Sequence, residues 1–235
     1  MENDRRAALL FLLATVPLPT VGVTLSLVLF PEAWWSKAVF ALAKAWLVAA
    51  PLAWLWLVEE RRPRIPPFSW RGMGAANATG AVIFVAIGLA WIGFGRERVD
   101  APAMAALMRE AGLRNGWSFL AAAAYWCTVN SLIEEYFWRW WVYERLRAFA
   151  PAAAAVLVCG VLFTTHHVVV LDAYLPWELT LLGSLGVLIG GITWSWIYAR
   201  YGNLYAAYVS HVWADVVIFW IGWEVLRGQV APANA

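Results

Sequence analysis

"IEEYFWRWW", residues 133–141, places two adjacent carboxylates and an arginine within a run of large apolar side chains. A charge in lipid costs several kcal/mol on insertion scales, of the order of ~3 each, so it must face a partner or a cavity. Whether the chain around this stretch is membrane therefore decides both fold and site. Of the 235 residues, 63% are hydrophobic and 14% charged, far from the soluble average. Apolar runs near 7–30, 34–58, 73–95, 118–149, 152–172, 177–199 and 204–226 each approach the ~20 residues a spanning helix needs. They predict an all-α, polytopic transmembrane bundle of seven to eight helices, in which any site formed by the charged residues lies in an intramembrane cavity.

The breaks between runs are chemically sensible. Pro31, the segment "EERRPRIPPFSWR", Pro151, Pro176 and "YGN" separate them. Pro17 and Pro19 predict weak turns inside the first run, which is too long for a signal-peptide core. Asp100 and Pro102 mark a helix start, and Met104, Leu107, Met108 and Ala111 recur at helical spacing, as in a helix lying on the membrane surface or packed over the bundle's end. In the sixth run, Gly183, Gly186, Gly190 and Gly191 suggest close helix approach, with Gly186 and Gly190 at the four-residue spacing of small-residue contacts.

Basic residues orient the bundle, because Lys and Arg near span ends favour the cytoplasm. Arg5, Arg6, Arg61, Arg62, Arg64, Arg71, Arg145, Arg147 and Arg200 fall on one side; Lys37, Arg96, Arg98, Arg109, Arg114 and Arg227 fall on the other. The amino terminus is expected in the cytoplasm. A net charge of +2 without a basic stripe excludes a nucleic-acid partner. Cys127 and Cys159 lie inside spans without motif spacing and read as buried thiols; the eighteen tryptophans read as interfacial belts and bulky packing.

The ionisable residues that cannot easily escape the membrane are Lys44, Glu134, Glu135, Arg139, His166, His167, His211 and Asp215. Glu135 and Arg139, four apart, share a helix face and can pair, whereas Glu134 points about 100° away and is not committed to Arg139. Asn130 lies one turn before Glu134 on the same face. Glu134 is seventeen residues before Pro151 and His167 sixteen after it, so a hairpin sets them at similar depth, about 25 Å from the turn. His166 is expected to point elsewhere, as a satisfied interhelical donor. His211 and Asp215 stand one turn apart. Lys44 has three readings: a snorkelling or structural pair, a partner for Glu135, or a receptor for a substrate carboxylate.

A glutamate beside an imidazole in a partly dry cavity can take a proton from water and pass it to a leaving amine, while a second histidine and its neighbour stabilise the oxyanion. This fits peptide-bond hydrolysis. No GxSxG serine, no paired intramembrane aspartates and no HExxH offer another route.

At these residues the chain resembles the CPBP intramembrane glutamic endopeptidases, which include the Rce1-like CAAX prenyl proteases and bacterial relatives linked to bacteriocin processing or self-immunity. Glu134, Glu135 and Arg139 match EExxxR, Phe163 and His167 match FxxxH, and His211 with Asp215 matches a histidine followed four residues later by Asn or Asp. The resemblance implies that Glu134 and His167 activate water, that His211 and Asp215 bind the oxyanion or order the site, and that Glu135, Arg139, Asn130 and Phe163 support them. Trp138 and Trp140 stand where relatives have Phe and Gly around the arginine, and Asp215 where the usual Asn donates from its amide.

The implied organisation is 1–117 as amino-terminal helices with an amphipathic segment, 118–226 as the catalytic core and 227–235 as a short tail. No cofactor is expected; the rival set Glu134, His167, His211 and Asp215 is chemically reasonable for zinc and predicts chelator sensitivity. A transporter or a non-catalytic immunity protein are the other readings. The expected partners are the lipid bilayer and a membrane-associated protein or peptide substrate, prenylated or with a hydrophobic carboxy-terminal signal, and the expected location is a bacterial inner membrane.

Overall fold

A computed structural model describes residues 2–60, 62 and 66–228, with no strand among them. Helices α1 (Glu2–Thr15) and α2 (Leu18–Val23) break at Pro17, as the prolines predict, and together form one apolar span that ends in wide π-helical turns over Thr24–Leu29. Next come α3 (Trp34–Leu57) and α4 (Met73–Ala90), the latter prolonged by a π-helical turn over Trp91–Gly95, then the short α5 (Ala101–Glu110). The central helix, α6, runs over 116–146 and is followed by α7 (Ala152–Tyr174), α8 (Trp177–Tyr201) and α9 (Leu204–Gly228). Arg61, Arg64 and 229–235, part of the orientation and tail expectations, lie outside the described residues.

Among the described residues six helices are long and apolar enough to cross a membrane, against the seven to eight expected; α6, with its ionisable residues and irregular turns, is not one of the six. The protein is a helical membrane bundle. Each connection is local chemistry. Pro151 and Pro176 hold extended backbone immediately before α7 and α8, and Gly202 ends α8 in the left-handed conformation at φ 61°. Asn203 then closes the next corner, donating 2.7 Å bonds to the Ser69 and Arg71 carbonyls while its Oδ1 accepts from Tyr205 N.

Between Phe137 and Tyr143 nearly every side chain of α6 is buried, including Phe137, Trp138, Trp141 and Val142. A helix apolar on all sides belongs inside. The others surround it in two close pairs, α7 with α8 and α4 with α9. Tryptophan divides as expected: Trp54, Trp138, Trp141 and Trp194 pack the core, while Trp34, Trp70, Trp117 and Trp177 stand exposed near helix ends. Both cysteines are buried and free, and the Cys159 thiol donates to the Trp138 carbonyl at 3.2 Å.

Asp100 caps α5 by accepting from Ala103 N at 3.0 Å. Ala105, Met104 and Met108 pack on Phe119, Val225 and Leu226, so α5 covers the bundle's end rather than lying free on the surface. The expected close approach is made at Gly191 and Gly183, the latter against Leu171, and needs correction for Gly186 and Gly190. Gly186 faces open space, and a Cβ on Gly190 would meet only Trp194 of its own helix. The close approach is made by Gly191 against Gly160, where an added Cβ on Gly160 would lie 2.6 Å from Ile192 Cγ1 and 3.0 Å from its backbone nitrogen. We expect Gly160→Ala to lower the unfolding temperature in detergent, at a cost of about 1–3 kcal/mol for overpacking, while Gly186→Ala leaves it unchanged or raised.

Candidate active site

The site is built on α6, where regular turns over Gly116–Ala124, Ser131–Glu135 and Glu144–Leu146 alternate with π-helical ones over Tyr125–Asn130 and Tyr136–Tyr143. Such wide turns re-aim side chains relative to a uniform helix. They flank the two glutamates on both sides. At about 1.5 Å per residue, Glu134 sits roughly 18 Å from the end of α6 at Leu146.

Glu134 is 3% exposed, and its Oε1 accepts two bonds, from Lys44 Nζ at 2.8 Å and Asn130 Nδ2 at 3.1 Å. Lys44 also donates to Asn130 Oδ1 at 2.8 Å, closing a three-membered ring of contacts. Asn130 therefore occupies its expected place one turn before Glu134. Lys44 does not: the expected options included pairing with Glu135, but α3 brings it to Glu134. Both donors use one carboxylate oxygen, leaving Oε2 available to another hydrogen.

Glu135 and Arg139, both fully buried, form the expected pair with Oε1 and Nη1 2.9 Å apart, a contact whose angle makes it an ion pair rather than a directed hydrogen bond. Arg139 Nη2 donates to the Gly191 carbonyl at 3.3 Å, and the guanidinium lies over the rings of Phe163 and Trp194 at 4.5 and 5.2 Å. Glu135 Oε1 also accepts from His211 Nδ1 at 2.9 Å, a contact that helix spacing gave no means to foresee. The His211 ring stacks on Trp194 with centroids 3.9 Å apart. Phe163 thus serves as packing beneath Arg139 and both motif histidines.

On α7, the His167 Nδ1 lies 3.0 Å from the Phe163 carbonyl. A carbonyl only accepts, so Nδ1 carries the hydrogen and neutral His167 presents a lone pair at Nε2. Glu134, His166 and His167 each offer an atom within 4.8 Å of the others, which brings the carboxylate and His167 to the same depth. His166 corrects its expectation: it belongs to this cluster rather than to a distant interhelical bond. It is 5% exposed, its ring stacks parallel to Trp138, and its Nδ1 has no hydrogen-bond partner among the described residues.

Asp215 is half-buried, with Oδ1 3.7 Å from His211 Nε2, beyond hydrogen-bond length. Its Oδ2 pairs with Ser131 Oγ, which also reaches the Trp126 carbonyl at 2.7 Å. Ser131, three residues before Glu134, was legible as polar but carried no motif. The π-helical turn places it under Asp215.

Four helices thus converge: α3 with Lys44, α6 with the glutamates, α7 with the histidine pair and α9 with His211 and Asp215. The set contains a fixed carboxylate, an oriented imidazole beside it, and a second imidazole backed by a carboxylate. Among the described residues, the ligand atoms that lie within 4.8 Å of one another belong to Glu134, His166 and His167, a group that shares two members with the expected zinc set.

Residues 116–217 match the family described as type II CAAX prenyl endopeptidase Rce1-like. No curated protein and no solved structure matches the chain.

Breaking a buried ion pair on one side leaves an uncompensated charge. Glu135→Gln should therefore destabilise the folded protein by about 3–5 kcal/mol, and the pair Glu135→Gln/Arg139→Met should recover much of that loss, as read by unfolding in detergent.

Proposed function

We propose that the chain, whose residues 116–217 match the type II CAAX prenyl endopeptidase Rce1-like family, is an intramembrane glutamic endopeptidase that hydrolyses a peptide bond with water activated by Glu134 and His167. The observation that carries this reading is the gathering of Glu134 and His167 at one depth inside the bundle, with Glu134 Oε1 held by Lys44 and Asn130.

In this mechanism, Oε2 of Glu134 takes a proton from a water that also donates to His167 Nε2, and the water oxygen bonds to the carbonyl carbon. The developing oxyanion is met by His211, held at Nδ1 by Glu135 and doubly protonated so that Nε2 can donate; Asp215, 3.7 Å beyond, orients that proton. The C–N bond then breaks as Glu134 passes its proton to the leaving amine. Asp215 acts by orientation, which removes the need for the amide donor that Asn supplies in relatives.

The substrate is a membrane-associated protein or peptide, and the finer proposal is one that is prenylated or ends in a hydrophobic signal. The catalytic core is 118–226. The described basic residues at the α6–α7 and α8–α9 turns support a cytoplasmic amino terminus, and the proposed setting is a bacterial inner membrane.

A zinc-dependent reading has one observation in its favour, since Glu134, His166 and His167 could supply three ligands and leave a fourth position open. Against it, the Lys44 ammonium already neutralises Glu134, and a dication beside it would meet repulsion. A transporter or immunity protein would not depend on Glu134 for peptide cleavage.

The test is cleavage of membrane-anchored and prenylated peptides by purified protein. Glu134→Gln should lower kcat by about 10²–10⁴-fold without loss of fold, and a strong chelator should leave the wild type unchanged. Reversible loss of cleavage on chelation would replace the water-activation scheme with a metal one.

A further inference from the structure

Lys44 lies in the amino-terminal half, outside the family match, yet its ammonium makes the shortest contact to the carboxylate assigned as base. It stands ten residues into α3 from one end and thirteen from the other, about 15–20 Å from either interface. A lysine side chain reaches only about 6 Å, so snorkelling to water is not open to it. Its partners are instead internal: Glu134 Oε1 and Asn130 Oδ1, each at 2.8 Å, with the Trp126 ring at 5.2 Å.

We propose that Lys44 is a positioning residue for the hydrolysis: its ammonium holds Oε1 of Glu134 so that the other oxygen faces the attacking water. The inference rests on Glu134 being the base. Oε1 receives both fixed donors, so the pair Lys44 and Asn130 selects which oxygen does the chemistry and stops the carboxylate from rotating. Asn130 alone would supply a neutral donor four residues away on the same helix. Only Lys44 supplies a full counter-charge from a second helix.

The competing role is an anchor for a substrate's carboxy-terminal carboxylate. Distance decides against it. Each residue of an extended chain adds about 3.3–3.6 Å, so a carboxylate bound at Lys44, whose Nζ is 2.8 Å from Glu134 Oε1, leaves room for no more than about one or two residues beyond the scissile bond. Lys44 is thus placed for the scissile bond and not for the terminus.

The experiment measures kcat and KM for a farnesylated peptide with a free terminal carboxylate and for its carboxamide, using the full chain in liposomes. Lys44→Met should lower kcat by at least about 100-fold with KM changed less than about threefold, and Lys44→Arg should restore kcat to within about tenfold of wild type. In a Glu134→Gln background Lys44→Met should add no further loss, because the two residues act as one unit. The preference for acid over carboxamide should be the same in wild type and Lys44→Arg. Wild-type kcat in Lys44→Met, or a rise in KM alone, overturns the proposal, and a changed acid preference in Lys44→Arg assigns the anchor role instead. If Lys44→Met does not fold, Lys44→Gln decides: kcat lowered at constant KM supports positioning, and unchanged kcat overturns it. Full activity of Glu134→Gln would instead remove the premise, with Glu134 no longer the base.

Discussion

Two carboxylates on consecutive residues of a membrane helix point about 100° apart, so no single cation can compensate both. Glu134 and Glu135 therefore need charges from two directions, and that requirement organises the bundle around α6. Glu135 is served from its own helix by Arg139 and from α9 by His211. Glu134 is served from α3 by Lys44. Meeting both demands brings α3 and α9 against α6, whose turns from Glu134 to Tyr143 are largely buried.

The two carboxylates differ in what surrounds them, and this suits them to the different roles proposed for them. Around Glu135 everything is spoken for at Oε1 and packed at its edges: Arg139, His211, and beneath them Phe163 and Trp194. That group is a rigid support. Around Glu134 the fixed donors occupy one oxygen, and the histidine pair of α7 brings ring nitrogens within 4.8 Å of the carboxylate. The close approach of Gly191 to Gly160 lets α8 reach α7, bringing the Gly191 carbonyl to Arg139 and Trp194 to His211. Packing between small residues thereby enters the electrostatics of the site.

Much of this was legible in the sequence because membrane chains carry strong signals. The seven apolar runs, their proline and glycine breaks, and the short α5 with its Asp100 cap follow from length and local chemistry. The Glu135–Arg139 pair and Asn130 beside Glu134 follow from helical spacing. What could not be read were relations between helices. Nothing in spacing says that Lys44 chooses Glu134 over Glu135, that His211 reaches Glu135, or that Gly160 rather than Gly186 makes the close contact. The π-helical turns in α6 have no sequence signature, and they set the phase that puts Ser131 beneath Asp215. His166 was misplaced for a related reason: neighbouring residues on a helix diverge, but ring stacking on Trp138 lets its donor atom turn back toward Glu134.

The central claim is that Glu134 acts on water and forms no covalent bond to substrate. The most direct measurement follows oxygen in H₂¹⁸O over repeated turnovers, with mass spectrometry of both the cleaved peptide and the segment of the protein that carries Glu134. Water activation predicts ¹⁸O in the new carboxy terminus of the product and none in the Glu134 carboxylate. Label in Glu134 that accumulates with turnover would mean that the carboxylate itself attacks the carbonyl, and would contradict the account.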